Sequence, residues 1–186
     1  YRASVPWQIV RQQFNALGTH DTPRIRALLQ NDMGKLRLAV TLLMTVPGVP
    51  CIFYGDEIGL GGDGNDSRVC MNWNEPDWDG SLLEFHRRLI HLRRQSPALI
   101  EGGFQVLAVE KDGFVFLRDA EAQQIVVAAN RSPLPGPAFR LDLAAAGIEE
   151  GATFEEFFSG QQAQVENGFL PLPELLQGAS IWIHGS

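Results

Sequence analysis

The chain has 186 residues, 45% of them hydrophobic and 20% charged, which is the balance of a folded protein and enough length for one domain or two small ones. A net charge of −7 argues against unassisted binding to nucleic acid or anionic lipid and leaves a neutral polyhydroxylated ligand open. No apolar run reaches the roughly 18 residues of a membrane helix, so no membrane partner is expected; the longest stretch, Leu36 to Pro50, is broken by Arg37 and Pro47.

In chain order, Trp7 to Phe14 has the pattern of a helix, and Asn15 to Asp21 that of a strand ending in polar residues. Leu36, Ala39, Val40, Leu43 and Met44 recur at helical spacing until Pro47-Gly48 stops the run. The short apolar stretch Val49 to Tyr54 suits a parallel strand covered on both faces. Gly59 to Asp66, rich in Gly and Asp, reads as the loop at its C-terminal end. Ser81 and Glu84 form a capping box for a helix whose face is Leu82, Phe85, Leu89 and Leu92 and which Pro97 ends. This alternation of helix and strand predicts a parallel sheet with helical crossovers.

Beyond Pro97 the pattern turns to short β-rich runs: Phe104 to Val109, Phe114 to Leu117, Ile125 to Ala129, Phe139 to Leu143 and Ile181 to His184. Lys111-Asp112-Gly113 suits a hairpin turn, and Pro133 to Pro137 a rigid connection. An antiparallel sandwich is predicted here. The charge changes with the pattern: residues 1–94 carry 11 basic and 10 acidic side chains, residues 95–186 carry 4 and 12. Two modules are therefore expected, residues 1–97 and 98–186.

Polar chemistry concentrates in Gly18-Thr19-His20-Asp21-Thr22-Pro23-Arg24, where the first strand meets its loop. Loops at the C-terminal ends of parallel strands carry function in barrels. A carboxylate beside an imidazole can bind neighbouring sugar hydroxyls and stabilise positive charge on a sugar carbon. The competing reading is structural, with Asp21 or Thr22 capping a helix that Pro23 begins. Spacing alone gives the two readings equal weight.

The segment Phe14 to Arg24 (FNALGTHDTPR) resembles the strand-seven block of the α-amylase family of glycoside hydrolases, in the form found in neopullulanases, cyclomaltodextrinases and maltogenic amylases. Pro47 to Gly59 (PGVPCIFYGDEIG) resembles its strand-eight block, and Arg68 to Trp73 (RVCMNW) the loop that follows. The resemblance implies an α/β plus all-β fold: the last two βα units of a TIM (β/α)₈ barrel, then an antiparallel β-sandwich domain. A whole barrel takes about 250 residues, so most of the sheet is expected upstream of Tyr1.

The family mechanism is retaining, with an Asp nucleophile, a Glu acid/base and a second Asp that stabilises the oxocarbenium-like transition state. By resemblance Asp21 is that second Asp, and His20 binds hydroxyls of the sugar whose bond is cleaved. Nucleophile and acid/base belong to earlier strands, so these residues alone are expected to be inactive. Arg68, with Asp63 or Asp66, is a candidate sugar-binding pair. Relatives often carry Asp-Pro four residues before the Arg, where Gly64-Asn65 stands here, which leaves its acidic partner open. Tyr54 is a candidate for the pocket floor. Trp73 and Trp78 are expected to pack, and Asp56 and Glu57 to be structural, since neighbours in a strand point to opposite faces.

The implied substrate is an α-glucan oligosaccharide with α-1,4 links, α-1,6 links being within the range of the family, and the implied macromolecular partner is the missing N-terminal part of the same barrel, with a homodimer compatible with the subgroup. No cofactor is implied, and no metal site, because the histidines and cysteines lack ligand spacing. Two cysteines, Cys51 and Cys70, suit a reducing compartment, hence the cytoplasm. Two alternatives differ in class: a noncatalytic interaction subunit, as in amino-acid-transporter heavy chains, and a stand-alone carbohydrate-binding sandwich over residues 98–186. Retention of His20 and Asp21 argues against the first, and the lack of an exposed aromatic platform against the second.

Overall fold

In the computed structural model of the chain, residues 4–62 and 67–185 are described. They fall into two compact units, residues 1–95 and 96–186.

The first unit holds the helix α1 (Trp7–Val10), the strand β1 (Phe14–Ala16), the helices α2 (Ile25–Leu28) and α3 (Met33–Thr45), the strand β2 (Val49–Cys51) and the helix α4 (Gly80–Gln95). β1 and β2 pair in parallel, Phe14 opposite Val49 and Ala16 opposite Cys51. Both strands are shorter than their apolar runs suggest. After Ala16 the chain turns at Thr19–Thr22, where the Thr22 N–H donates to the Thr19 carbonyl at 3.2 Å and the Thr19 N–H to Thr22 Oγ1 at 2.9 Å. After Cys51 it bends at Gly55, whose φ of +85° disfavours a side chain and whose added Cβ would lie 2.6 Å from Leu60, into a one-turn helix over Asp56–Ile58.

α3 is capped by Asp32, which accepts from the Lys35 N–H at 3.0 Å. It buries Leu36, Val40, Leu43 and Met44, and packs against α4 through the latter's Leu82 and Leu89. The cap of α4 is not the predicted Ser81: the Asp79 carboxylate accepts from the Leu82 N–H at 2.9 Å and from the Ser81 hydroxyl at 2.8 Å. The helix therefore starts at Gly80. Arg93, near its C-terminal end, reaches across to the Met44 carbonyl at 2.7 Å and to those of Val46 and Gly48. It satisfies the acceptors that the end of α3 leaves without intrahelical partners.

The second unit opens with a short helix α5 (Pro97–Ile100), so Pro97 starts a helix immediately after ending the last one; Ser96 caps it. Eight antiparallel strands follow: β3 (Gly103–Val109), β4 (Gly113–Ala120), β5 (Gln123–Asn130), β6 (Phe139–Asp142), β7 (Thr153–Glu156), β8 (Gln162–Gln164), β9 (Phe169–Leu172) and β10 (Gly178–Gly185). Six form one sheet in the order β3-β4-β5-β10-β7-β8, and β6 pairs with β9 in a separate ribbon. Val115, Leu117, Val126 and Trp182 of the sheet share a buried core with Leu141, Leu170 and Leu172 of the ribbon. Alternation puts Phe116 and Val127 on the other face, where α5 lies against β4 and β5. Trp182 is fully buried and offers no stacking platform.

Candidate functional site

The polar residues singled out in the sequence gather where the chain leaves β1 and β2. Arg68 joins them by two hydrogen bonds: its Nη2 donates to Asp21 Oδ1 at 2.9 Å and its Nε to the His20 carbonyl at 2.8 Å. His20 Nε2 lies 3.2 Å from Asp21 Oδ2. The imidazole, the carboxylate and the guanidinium thus form one surface cluster, each exposed over about two thirds of its side chain (68%, 67% and 64%).

Asp21 is not a helix cap. Helix α2 begins at Ile25, preceded by Arg24 with no side-chain capping bond. Thr22 spends its hydroxyl on the Thr19 turn, and the Thr19 hydroxyl accepts from the Asp21 N–H at 3.2 Å. The Asp21 carboxylate is left for Arg68 and His20.

Tyr54 is partly exposed, and its hydroxyl donates to the Val69 carbonyl at 2.7 Å, next to Arg68. Asp63 and Asp66 lie outside the described residues; among the described residues the carboxylate that meets Arg68 is Asp21, 47 positions away in the chain. Trp73 departs from the packing expectation: it is 78% exposed, in a loop where the Trp78 indole donates to the Asn72 carbonyl at 2.8 Å. Five residues after Arg68, it presents a large apolar face to solvent.

Beneath the cluster lies a pairing that sequence reading did not foresee, although Arg24 belongs to the polar segment and Asp56 was expected to be structural. Arg24 is 1% exposed, and its Nη1 donates to Asp56 Oδ1 at 3.0 Å and to the Tyr54 carbonyl. Its guanidinium lies 4.2 Å from the Phe53 ring centroid and 4.5 Å from that of Tyr54. Burial pushes the Asp56 carboxyl above its ordinary range, with Arg24 pulling against the shift. Asp56 and Glu57 do not act on one point: Asp56 faces Arg24, whereas Glu57 Oε2 is buried with no hydrogen-bond partner among the described residues. The advance signal for Arg24 was its place at the end of the polar segment Gly18 to Arg24, which says nothing of its burial or of its pairing with Asp56.

His86 is buried on α4 with Nδ1 2.8 Å from the Leu82 carbonyl, and burial holds its pKa below the usual 6.5. Cys51 and Cys70 are free thiols. Among the described residues no group of three or more His, Cys, Asp or Glu could hold a metal ion, and no helix is long and apolar enough to cross a membrane.

A carboxylate, an imidazole and a guanidinium gathered at the C-terminal ends of parallel strands form the kind of site that carbohydrate-active barrel enzymes present. Residues 2–76 match the family described as Alpha amylase, catalytic domain. The chain is 39% identical over 131 residues to a cyclomaltodextrinase of a Bacillus species, a match covering 69% of this chain and 24% of the relative. It is 31% identical over 185 residues to neopullulanase 2 of Thermoactinomyces vulgaris, covering 97% of this chain and 31% of that protein. A solved cyclomaltodextrinase structure superposes with a TM-score of 0.86 at 29% identity, covering 98% of this chain and 31% of its own. The chain belongs to the α-amylase family of glycoside hydrolases. It spans about a quarter of the length of the cyclomaltodextrinase it matches.

Proposed function

We propose that this chain is the C-terminal part of a retaining α-glucan hydrolase. Residues 1–97 supply the last two βα units of the catalytic barrel, and residues 98–186 the β-sandwich domain after it. The nucleophile and the acid/base come from earlier barrel strands outside these 186 residues, so the chain is inactive alone. The observation that carries this reading is the Asp21 carboxylate, held between Arg68 and His20 at the C-terminal ends of two parallel strands.

In this role the Asp21 carboxylate stabilises positive charge developing at the anomeric carbon, while His20 and Arg68 donate to sugar hydroxyls. Tyr54 lines the floor, and Asp63 and Asp66 are further candidates on the following loop. The parallel pair itself supports a larger sheet: Phe14 is 73% exposed and Val49 42%, and parallel strands are ordinarily covered on both faces. The substrates are α-1,4-linked maltooligosaccharides, cyclodextrins or pullulan, with α-1,6 links within range, and the full-length protein works in the cytoplasm, where a homodimer fits.

The test is Asp21→Asn in the full-length protein, assayed on maltooligosaccharide, cyclodextrin and pullulan. Turnover is expected to fall by orders of magnitude with melting unchanged. Near-normal turnover by a folded Asn variant rules out the role given to Asp21.

A further inference from the structure

The exposed cluster is hung on the buried one by a closed circuit of contacts. Arg24 lies three residues after Asp21, and its backbone N–H donates to the Gly62 carbonyl at 3.1 Å, tying the turn after β1 to the loop after β2. Its side chain holds the second connection, through Asp56 and the Tyr54 carbonyl. The Tyr54 ring lies over that guanidinium and its hydroxyl fixes Val69, which adjoins Arg68. Arg68 closes the loop on Asp21.

We propose that Arg24 and Asp56 are a positioning pair: with the Arg24 guanidinium packed against Phe53 and Tyr54, they hold the turn carrying Asp21 and the loop carrying Arg68 at the spacing sugar binding requires. This rests on the sugar-site reading of Asp21. The physical argument is that a buried ion pair is a poor way to gain stability. Desolvating two charges offsets most of their attraction, and well-packed apolar side chains of similar volume often serve the fold equally well. Here the cost is visible, because Arg24 Nε and Nη2 are buried with no hydrogen-bond partner among the described residues. What the pair supplies that apolar groups do not is direction. A planar guanidinium fixed at one end by a carboxylate and a carbonyl, and packed against a pair of rings that also touch each other, cannot slide as an aliphatic chain can. Misplacing a reacting group by about 1 Å lowers turnover about a hundredfold, so direction here has a large effect on rate.

The experiment measures kcat, KM and melting temperature of the full-length protein on a maltooligosaccharide for Asp21→Asn, Asp56→Asn, Arg24→Lys and the apolar double replacement of Arg24→Met with Asp56→Leu. The double variant is expected to melt close to the wild type while kcat falls about tenfold or more and KM moves much less, because the fold keeps its filled core and loses only alignment. Wild-type kcat in a folded double variant overturns the positioning role, since a pair that only fills space is replaceable. Should the double variant not fold, Arg24→Lys decides: it keeps the charge and loses the stacked fork, so normal kcat there refutes the proposal and reduced kcat with near-normal KM supports it. Asp21→Asn separates the two levels. Its full activity removes the sugar site and the positioning role together, whereas its loss alongside active pair variants removes the positioning role alone.

Discussion

Replacing Arg68 separates what the exposed cluster does for the fold from what it does for the reaction. The Arg68–Asp21 pair is 64% and 67% exposed, and ion pairs in water contribute only about 0–1 kcal/mol to stability. Arg68→Ala should therefore cost less than about 1 kcal/mol of folding free energy, a shift of no more than about 4 °C in melting temperature. Under a bound sugar the setting changes. Water leaves, and the attraction between unit charges about 4 Å apart rises from roughly 1 kcal/mol to roughly 4 as the effective dielectric falls from about 80 to about 20. Much of that is offset by desolvation, and a net loss of about 1.4–2.8 kcal/mol in the transition state corresponds to roughly 10- to 100-fold in kcat/KM. Arg68→Lys, which keeps the charge but cannot reproduce the fork that meets both Asp21 and the His20 carbonyl, should fall between. The assay is steady-state hydrolysis of a maltooligosaccharide by the full-length protein, paired with thermal melts. Unchanged kcat/KM in Arg68→Ala, or a melting loss several times larger than predicted, refutes the reasoning.

Two further predictions concern the scaffold. Asp79→Ala should destabilise the protein by about 1 kcal/mol through loss of the cap on α4. The Leu82 N–H holds the Asp79 carboxyl below its ordinary 3.8, so the cap's advantage is full above that pH and shrinks as pH falls through the depressed value; wild type and variant should converge in acid unfolding curves, and parallel curves would exclude the linkage. For His86, burial lowers the pKa from 6.5, with the Leu82 carbonyl and the Glu57 charge opposing. The unfolded chain then binds the proton first, so stability declines as pH drops below about 6.5. His86→Leu should flatten the fall in denaturant stability between neutral and mildly acid pH, and an unaltered slope would assign it to other groups.

The long helices were legible because their periodicity is their burial: Leu36, Val40 and Leu43 of α3 and Leu82, Leu89 and Leu92 of α4 are the residues that meet the core. Strand ends were not, since Ile52 to Tyr54 continue the apolar run after the ladder has ended and Gly55 has turned the chain. β7 and β8 escaped notice because Thr153–Glu156 and Gln162–Gln164 are largely polar, with Phe154 the one large apolar side chain they bury, and β9 because Pro171 interrupts a four-residue run, although its Leu170 and Leu172 enter the core. Within the site, His20, Asp21 and Arg68 could be singled out as residues, but the bond between positions 21 and 68 depends on how two loops meet. The burial of Arg24 was hidden by its chemistry, because an arginine after a turn is ordinarily solvated, and it is Asp56, the Tyr54 carbonyl and the rings at 53 and 54 together that accommodate it at 1% exposure.

The cluster at Asp21 is held without being used up. A carboxylate offers about four acceptor sites; Arg68 takes one by a hydrogen bond to Oδ1, and His20 Nε2 lies 3.2 Å from Oδ2. About two remain for hydroxyls, and among the described residues two of the five N–H groups of Arg68 are committed, to Asp21 and the His20 carbonyl. A sugar can therefore add bonds without breaking those that orient the site, and the strain of reorganisation is avoided at the moment charge develops. The same count explains why Asp21→Asn should be more harmful than loss of charge alone. An amide has one oxygen, so an Asn that keeps the Arg68 donor turns its NH₂ toward His20, and the imidazole must then hold the tautomer that accepts at Nε2. Asp21→Glu keeps both acceptors but moves them by a methylene, so it should bind substrate and lose turnover; a Glu variant as fast as wild type would mean that the position of the charge, held by Arg68 and supported from below by Arg24, does not matter to the rate.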